Sequence, residues 1–209
     1  MSWEPELGEL RRREELARRM GGEERVARQH AAGRLTVRER IERLLDPGSF
    51  HETGALAGRA TYAEGGELTD FLPANVVIGS GRIEGRRAVV QGDDFTVRGG
   101  AADAAIWQKQ VYAERMAHEL RLPLLRLVDG TGGGGSVKSL EQMGYSYVPP
   151  LFGFELVVGN LATVPVAAAA TVAARSLTAP GSALSSGETG SATSTAPSPG
   201  ARASTIGSG

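Results

Sequence analysis

The sequence predicts an α/β fold built in layers, on three observations. Apolar runs of strand length alternate with helical patterns between Phe50 and Ala168. One of them, Leu124-Leu125-Arg126-Leu127-Val128, reads as a buried strand and leads almost directly into Gly130-Thr131-Gly132-Gly133-Gly134-Gly135. The chain on either side of this region has a different character. It therefore divides into a helical segment 1–49, a layered domain 50–170 and a low-complexity tail 171–209.

The helical segment opens with a stretch from Glu9 to Arg28 that is rich in Arg and Glu and broken at Gly21-Gly22. It reads as a solvated helix laced with Glu–Arg pairs, and a basic face on it could also hold an anion. A second helix starts at Thr36, because Thr36-Val37-Arg38-Glu39 fits a capping box. In such a box the Thr hydroxyl accepts from the Glu39 N–H while the Glu39 carboxylate reaches back. Val37, Ile41, Leu44 and Leu45 then form an apolar stripe at helical spacing, which Asp46-Pro47-Gly48 ends.

From Phe50 the pattern turns to strands. Asn75 to Gly81 and Arg86 to Val90 flank Glu84-Gly85, a hairpin turn signal, and Phe95-Thr96-Val97 reads as one more short strand. Gly99-Gly100 precedes a long helix from about Ala101 to Leu120, with Ile106, Ala113, Ala117 and Leu120 on its buried face and Pro123 at its limit. After the strand 124–128 and the glycine run, a short helix is expected from Val137. A second follows Pro149-Pro150 from about Phe152 to Leu161, and then a strand from Val164 to Ala168. From Thr171 the chain is mostly Ala, Ser, Thr, Gly and Pro. This composition has little apolar surface to bury, and disorder is expected. It also resembles what a shifted reading frame yields from a GC-rich coding region.

Composition excludes several function classes. The 209 residues carry a formal net charge of -1, with hydrophobic content of 41% and charged content of 22%, in the range of globular proteins. Near-neutral charge and 5% aromatic residues argue against a nucleic-acid partner. The absence of Cys excludes disulfides, thiol catalysis and thiolate metal sites. His30, His51 and His118 show no metal-ligand spacing, so no metal is expected and each histidine is read as structural or exposed. The acidic start Met1-Ser2-Trp3-Glu4 is unlike a secretory signal, and no apolar run approaches the roughly 18 residues of a membrane span, so a cytoplasmic protein is expected.

The glycine run carries the chemistry. Glycine loses the most entropy on ordering, and the usual reason for five glycines in six residues is the close approach of backbone N–H groups to an anion. Gly130 to Gly135 fits the dinucleotide pattern G-x-G-x-x-G, yet any such run does, and Glu155 falls in a helical stretch rather than at a strand end. A phosphate loop over Gly132 to Ser139 would place Lys138-Ser139 suitably, but Val137 stands where its second glycine belongs. A structural surface loop is a further alternative. In an oxyanion hole, the exposed N–H groups would face an oxygen that becomes negative during a reaction. Asp129 is expected to anchor the turn by accepting backbone N–H groups.

Three blocks add a resemblance to this reading. Gln29-His30-Ala31-Ala32-Gly33-Arg34-Leu35-Thr36-Val37-Arg38-Glu39-Arg40-Ile41, with Leu44-Leu45-Asp46-Pro47-Gly48-Ser49-Phe50, forms the first. Gln91-Gly92-Asp93-Asp94-Phe95-Thr96-Val97-Arg98-Gly99-Gly100 is the second, and Leu127 to Gly135 the third. In order and spacing, from about Glu23 to Ala168, they resemble the carboxyltransferase (beta) subunits of biotin-dependent acyl-CoA carboxylases of the propionyl-CoA and methylcrotonyl-CoA type. The resemblance implies a crotonase-like fold of repeated ββα units. It implies an acyl-CoA substrate, with carboxylated biotin carried by a biotin carboxylase or biotin carboxyl carrier partner, and a homo-oligomer when full length. The N–H groups around Gly132, Gly133 and Gly134 become the expected enolate oxyanion donors. The loop is about one residue longer and richer in glycine than the usual propionyl-CoA form. The family continues past Ala168 where the tail from Thr171 stands here, so a truncated domain is expected. A truncated, non-catalytic CoA- or nucleotide-binding fragment is the alternative reading.

Overall fold

The computed structural model describes residues 2–100, 106–129 and 153–170. Three helices come first: α1 (Glu4–Arg18), α2 (Glu23–Ala31) and α3 (Val37–Leu44). α1 begins five residues earlier than the expected Glu9, with Pro5 in its first turn, where the missing N–H costs nothing. Glu–Arg pairs line the helical segment: Arg13 with Glu9 at 2.6 Å and Arg28 with Glu24 at 2.7 Å. The capping box of α3 forms as the sequence predicts. Glu39 N–H donates to Thr36 Oγ1 at 3.3 Å, and Thr36 N–H donates to Glu39 Oε2 at 2.7 Å.

A five-stranded sheet follows, in the order β1-β4-β5-β6-β7, beside a separate hairpin of β2 (Gly58–Tyr62) and β3 (Leu68–Pro73). β1 (His51–Thr53), β4 (Val76–Ile83) and β5 (Arg86–Asp93) pair antiparallel, whereas β5, β6 (Leu124–Val128) and β7 (Val166–Ala170) run parallel. The β4–β5 register runs from Val76 opposite Asp93 to Ile83 opposite Arg86. Glu84 and Gly85 turn it, with φ of 50° and 78°, the positive-φ pair that a tight hairpin requires. The Asp46 carboxylate accepts from both their N–H groups, at 2.9 and 2.8 Å. The crossovers carry α4 (Trp107–Leu120) and α5 (Phe154–Thr163).

Helices cover both faces of this sheet, which is why its strands read as continuous apolar runs. Val76, Ile78, Val89 and Leu124 pack with Ala113 and Ala117 of α4, while Val77 and Val90 pack with Val37, Ile41 and Leu45 of the α3 region. Glycines in the strands let α3 come this close. A Cβ at Gly92 would lie 2.5 Å from Val37 Cγ2, and one at Gly81 would lie 2.5 Å from Leu45 Cδ1. A smaller core of Leu16, Ala17 and Phe71 fastens α1 to the β2–β3 hairpin.

Four sequence expectations need correction. Phe95-Thr96-Val97 is a turn rather than a strand. The buried Asp94 carboxylate captures Thr96 N–H and Oγ1 at 2.9 and 2.6 Å, an Asx-type turn that leads into a 3-10 turn at Arg98–Gly100. Ile106 is extended and precedes α4, although it still packs on the core, and Leu120 is 48% exposed. The buried face of α4 instead includes Lys109 and Glu114, two charged residues that a search for apolar spacing passes over. The following helix is α5 at Phe154–Thr163, two residues later than expected, and the last strand is Val166–Ala170, because Val164 caps that helix. The expected helix from Val137 and the tail 171–209 lie outside the described residues. No helix among the described residues is long and apolar enough to cross a membrane.

Candidate active site

Packing α3 on the glycines of the sheet carries Arg40 to the carboxyl ends of β5 and β6. Its guanidinium donates to the Asp93 carbonyl at 2.7 Å and lies 3.6 Å from Asp129 Oδ2. The Asp129 N–H donates to Asp93 Oδ2 at 3.1 Å, and Gln29 Nε2 from α2 approaches Asp129 Oδ2 at 3.4 Å. Side-chain exposure is 11% for Arg40 and 7% for Asp129, so the pair is nearly dry. Burial pushes the Arg40 guanidinium down from its usual range, against the Asp129, Asp93 and Asp94 charges. Burial pushes the Asp93 and Asp94 carboxyls up. In parallel sheets, ligands gather outside the carboxyl strand ends, and this network ties two such ends together.

Asp129 is the last described residue before the glycine run. Its carboxylate receives side chains of α2 and α3, and the turn it is expected to anchor lies outside the described residues. Gly132, Gly133 and Gly134 lie outside the described residues, so the structure places the root of the proposed oxyanion loop and not its donors. The three histidines are dispersed. His30 meets Glu39 at 2.9 Å, His51 is exposed on β1, and His118 Nδ1 lies 3.2 Å from Asn160 Oδ1. No three His, Asp or Glu side chains among the described residues are grouped to hold a metal ion.

Two further charged groups escaped the sequence reading. Arg38 holds Glu52 through two bonds of 2.8 and 3.2 Å, with Lys109 Nζ at 3.9 Å. Burial pushes the Lys109 ammonium down to about 8 despite the Glu52 charge. On the same helix, Glu114 accepts from Arg126 at 2.5 Å and from Asn160 Nδ2 at 2.8 Å. Beside the strand-end network lies a cleft of about 470 Å³, lined by Arg25, Arg28, Gln29, Arg34, Phe95 and Arg98, among others.

A family model described as "Carboxyl transferase domain" matches residues 28–147. The chain is 36% identical over 132 residues to the propionyl-CoA carboxylase carboxyltransferase subunit of Haloferax mediterranei, covering 63% of this chain and 26% of that one. It is 41% identical over 128 residues to the propionyl-CoA carboxylase beta chain of Cereibacter sphaeroides, covering 60% of this chain and 25% of that one. It thus spans about a quarter of the length of these curated relatives. A crystal structure of the transcarboxylase 12S hexamer, with methylmalonyl-coenzyme A and methylmalonic acid bound, superposes with a TM-score of 0.62 at 31% identity. That match covers 81% of this chain and 32% of the other. The ββα layout of β4, β5 and α4, continued by β6, α5 and β7, is crotonase-like.

Proposed function

Since the chain belongs to the carboxyl transferase domain family, we propose that it provides the acyl-CoA side of a carboxyltransferase site. The observation that carries this reading is the position of the glycine run. It follows directly from Asp129, which Arg40, Asp93 and Gln29 fix at the carboxyl end of β6. In this reading the N–H groups of Gly132, Gly133 and Gly134 donate to the thioester oxygen of an acyl-CoA. Loss of the α-proton places negative charge on that oxygen, and fixed donors stabilise it without reorganising. The α-carbon then forms its bond to the incoming carboxyl carbon. Carboxylated biotin, brought by a carrier subunit, would give up that carboxyl group by cleavage of its N–C bond, and the ureido group so freed would take the α-proton. This chain then needs no side-chain base of its own. Assembly with a biotin carboxylase partner and with further copies of the chain belongs to the same reading.

The first test is calorimetric titration of the chain with propionyl-CoA, NAD and ATP. Propionyl-CoA is expected to bind most tightly, and tight NAD binding without CoA binding would sink the reading. The second is Gly133→Val, assayed for carboxylation with the carboxylase and carrier partners supplied. Loss of an oxyanion donor costs roughly 100- to 1000-fold in rate. That loss is expected at an unchanged melting temperature, whereas full turnover would place the oxyanion elsewhere. Propionyl-CoA binding by the parent chain, with no carboxylation even with both partners present, would instead make it a binding module.

A further inference from the structure

We propose that the first turns of α1 pair antiparallel with the same turns of a second copy of the chain. The proposal rests on the part of the reading above in which copies of the chain assemble, and not on acyl-CoA binding. Trp3, Leu7 and Leu10 are spaced four and three residues apart, so they stand in one stripe along the helix. The Leu7 N–H donates to the Trp3 carbonyl at 3.0 Å, which sets Trp3 on the turn before Leu7. All three are exposed, at 71%, 40% and 41%, whereas Leu16 and Ala17 further along α1 are buried with Phe71 of the hairpin. A single exposed leucine is ordinary. Three large apolar side chains in line, led by a tryptophan, mark a contact surface.

The charges beside the stripe select the partner and its direction. Glu4, Glu6 and Glu9 come first in α1, and Arg11, Arg12 and Arg13 follow. Within one copy, Glu9 pairs with Arg13 at 2.6 Å and Glu15 with Arg12 at 3.5 Å. No ion pair joins Glu4 or Arg11 to another described residue, and both are exposed. They lie seven residues apart on one flank of the stripe, each one place after a stripe residue. When two copies of α1 cross a two-fold axis antiparallel, Leu7 of each packs beside Leu10 of the other. Glu4 of each then faces Arg11 of the other, so one surface complements itself. A parallel pair would set the two acidic starts side by side. A hollow of about 230 Å³ beside Leu10, walled by Glu6, Glu9, Arg13 and Leu56, gives an incoming Trp3 room to bury its ring. Glu4 and Glu6 next to Trp3 would repel an anionic lipid surface, the other usual target of such a stripe. The seam is short, so pairing is expected at micromolar rather than nanomolar concentration.

The test is sedimentation equilibrium of the whole chain, with the parent expected to exchange between monomer and dimer. Leu7→Gln should leave a monomer with the parent's helical circular dichroism, because Leu7 lies outside the buried cores. Glu4→Arg and Arg11→Glu each set like charges against one another across the axis. Each should weaken the dimer by roughly tenfold, the scale of two exposed ion pairs. Both changes in one chain, or the two single variants mixed, return opposite charges to contact and should restore the parent's dimer. A variant that had merely failed to fold would show no such rescue. A parent that stays monomeric at its highest soluble concentration, or an exchange of charges that restores nothing, overturns the proposal. A dimer that Leu7→Gln leaves intact overturns this surface and keeps the assembly of copies by another one. A monomer that binds phosphatidylglycerol vesicles, and loses them with Leu7→Gln, gives the stripe to lipid and overturns the pairing. Propionyl-CoA binding should be equal in parent and Leu7→Gln, and its absence from both counts against the acyl-CoA reading alone.

Discussion

Lys109 shows how much a single buried charge can weigh. Its side chain is 6% exposed, and Glu52 at 3.9 Å is too far away for a good hydrogen bond. Burial holds the ammonium to about 8, against an ordinary value of 10.5. The unfolded chain keeps this proton up to pH 10.5, so between pH 8 and 10.5 it binds more protons than the folded chain. Stability therefore rises with pH across that window. Below pH 8 both states are protonated and burial costs on the order of 3 kcal/mol. Lys109→Met should accordingly melt higher than the parent at pH 7, with the gain shrinking as pH approaches 10.5. Arg38 continues to hold Glu52, so no orphaned carboxylate offsets the gain. A lower melting temperature at pH 7 would mean that the Glu52 pair outweighs desolvation. Nothing in the spacing of residues around Lys109 announced its burial, because its partner Glu52 comes from β1, more than 50 residues away. Glu114 was hidden likewise, because its partners Arg126 and Asn160 stand on other elements, 12 and 46 residues further along. Residues such as Thr36 and Glu39 were legible because their partners lie three residues apart.

At the scale of elements, α3 is the piece on which the site depends. Its capping box and apolar stripe were evident in the sequence, and Val37, Ile41 and Leu45 are buried as that stripe requires. What it rests on was not evident, since a glycine in a strand signals close approach without naming what approaches. Gly92→Ala tests the contact. Its Cβ would meet Val37 Cγ2 at 2.5 Å, so α3 must shift or the valine must leave its rotamer. Overpacking of this kind costs typically about 1–3 kcal/mol, which urea unfolding should register as a lower midpoint with an unchanged slope. The shift should also move Arg40 away from Asp93 and Asp129. A second substitution, Val37→Ala, should restore much of the loss, and no rescue would place the clash elsewhere. The turn at Phe95-Thr96-Val97 was misread for a related reason. Its residues favour strands, but the carboxylate of Asp94 redirects the backbone through hydrogen bonds that propensity does not weigh.

Across the whole molecule, the layered class was legible because strands buried on both faces must be nearly all apolar. The parallel pairing of β5, β6 and β7 follows from the helical crossovers between them. The β2–β3 hairpin was not resolved in the sequence. Its outward residues give no clean alternation, and only Phe71 in it is buried. These layers should open at different free energies. Native-state hydrogen exchange is expected to show β5, paired on both sides and covered by α3 and α4, exchanging only by global unfolding. The β2–β3 hairpin should exchange faster by a local route, and equal protection of the two would contradict this layering. The Arg40 contact has a consequence for engineering. A guanidinium on the third helix binds together two strand ends that lie over 50 and nearly 90 residues further along the chain. A chimera joined at residue 50 would therefore import a sheet while discarding its clasp. Any exchange of parts between relatives that hopes to keep the strand-end geometry has to carry the stretch from Gln29 to Asp129 as one inheritance.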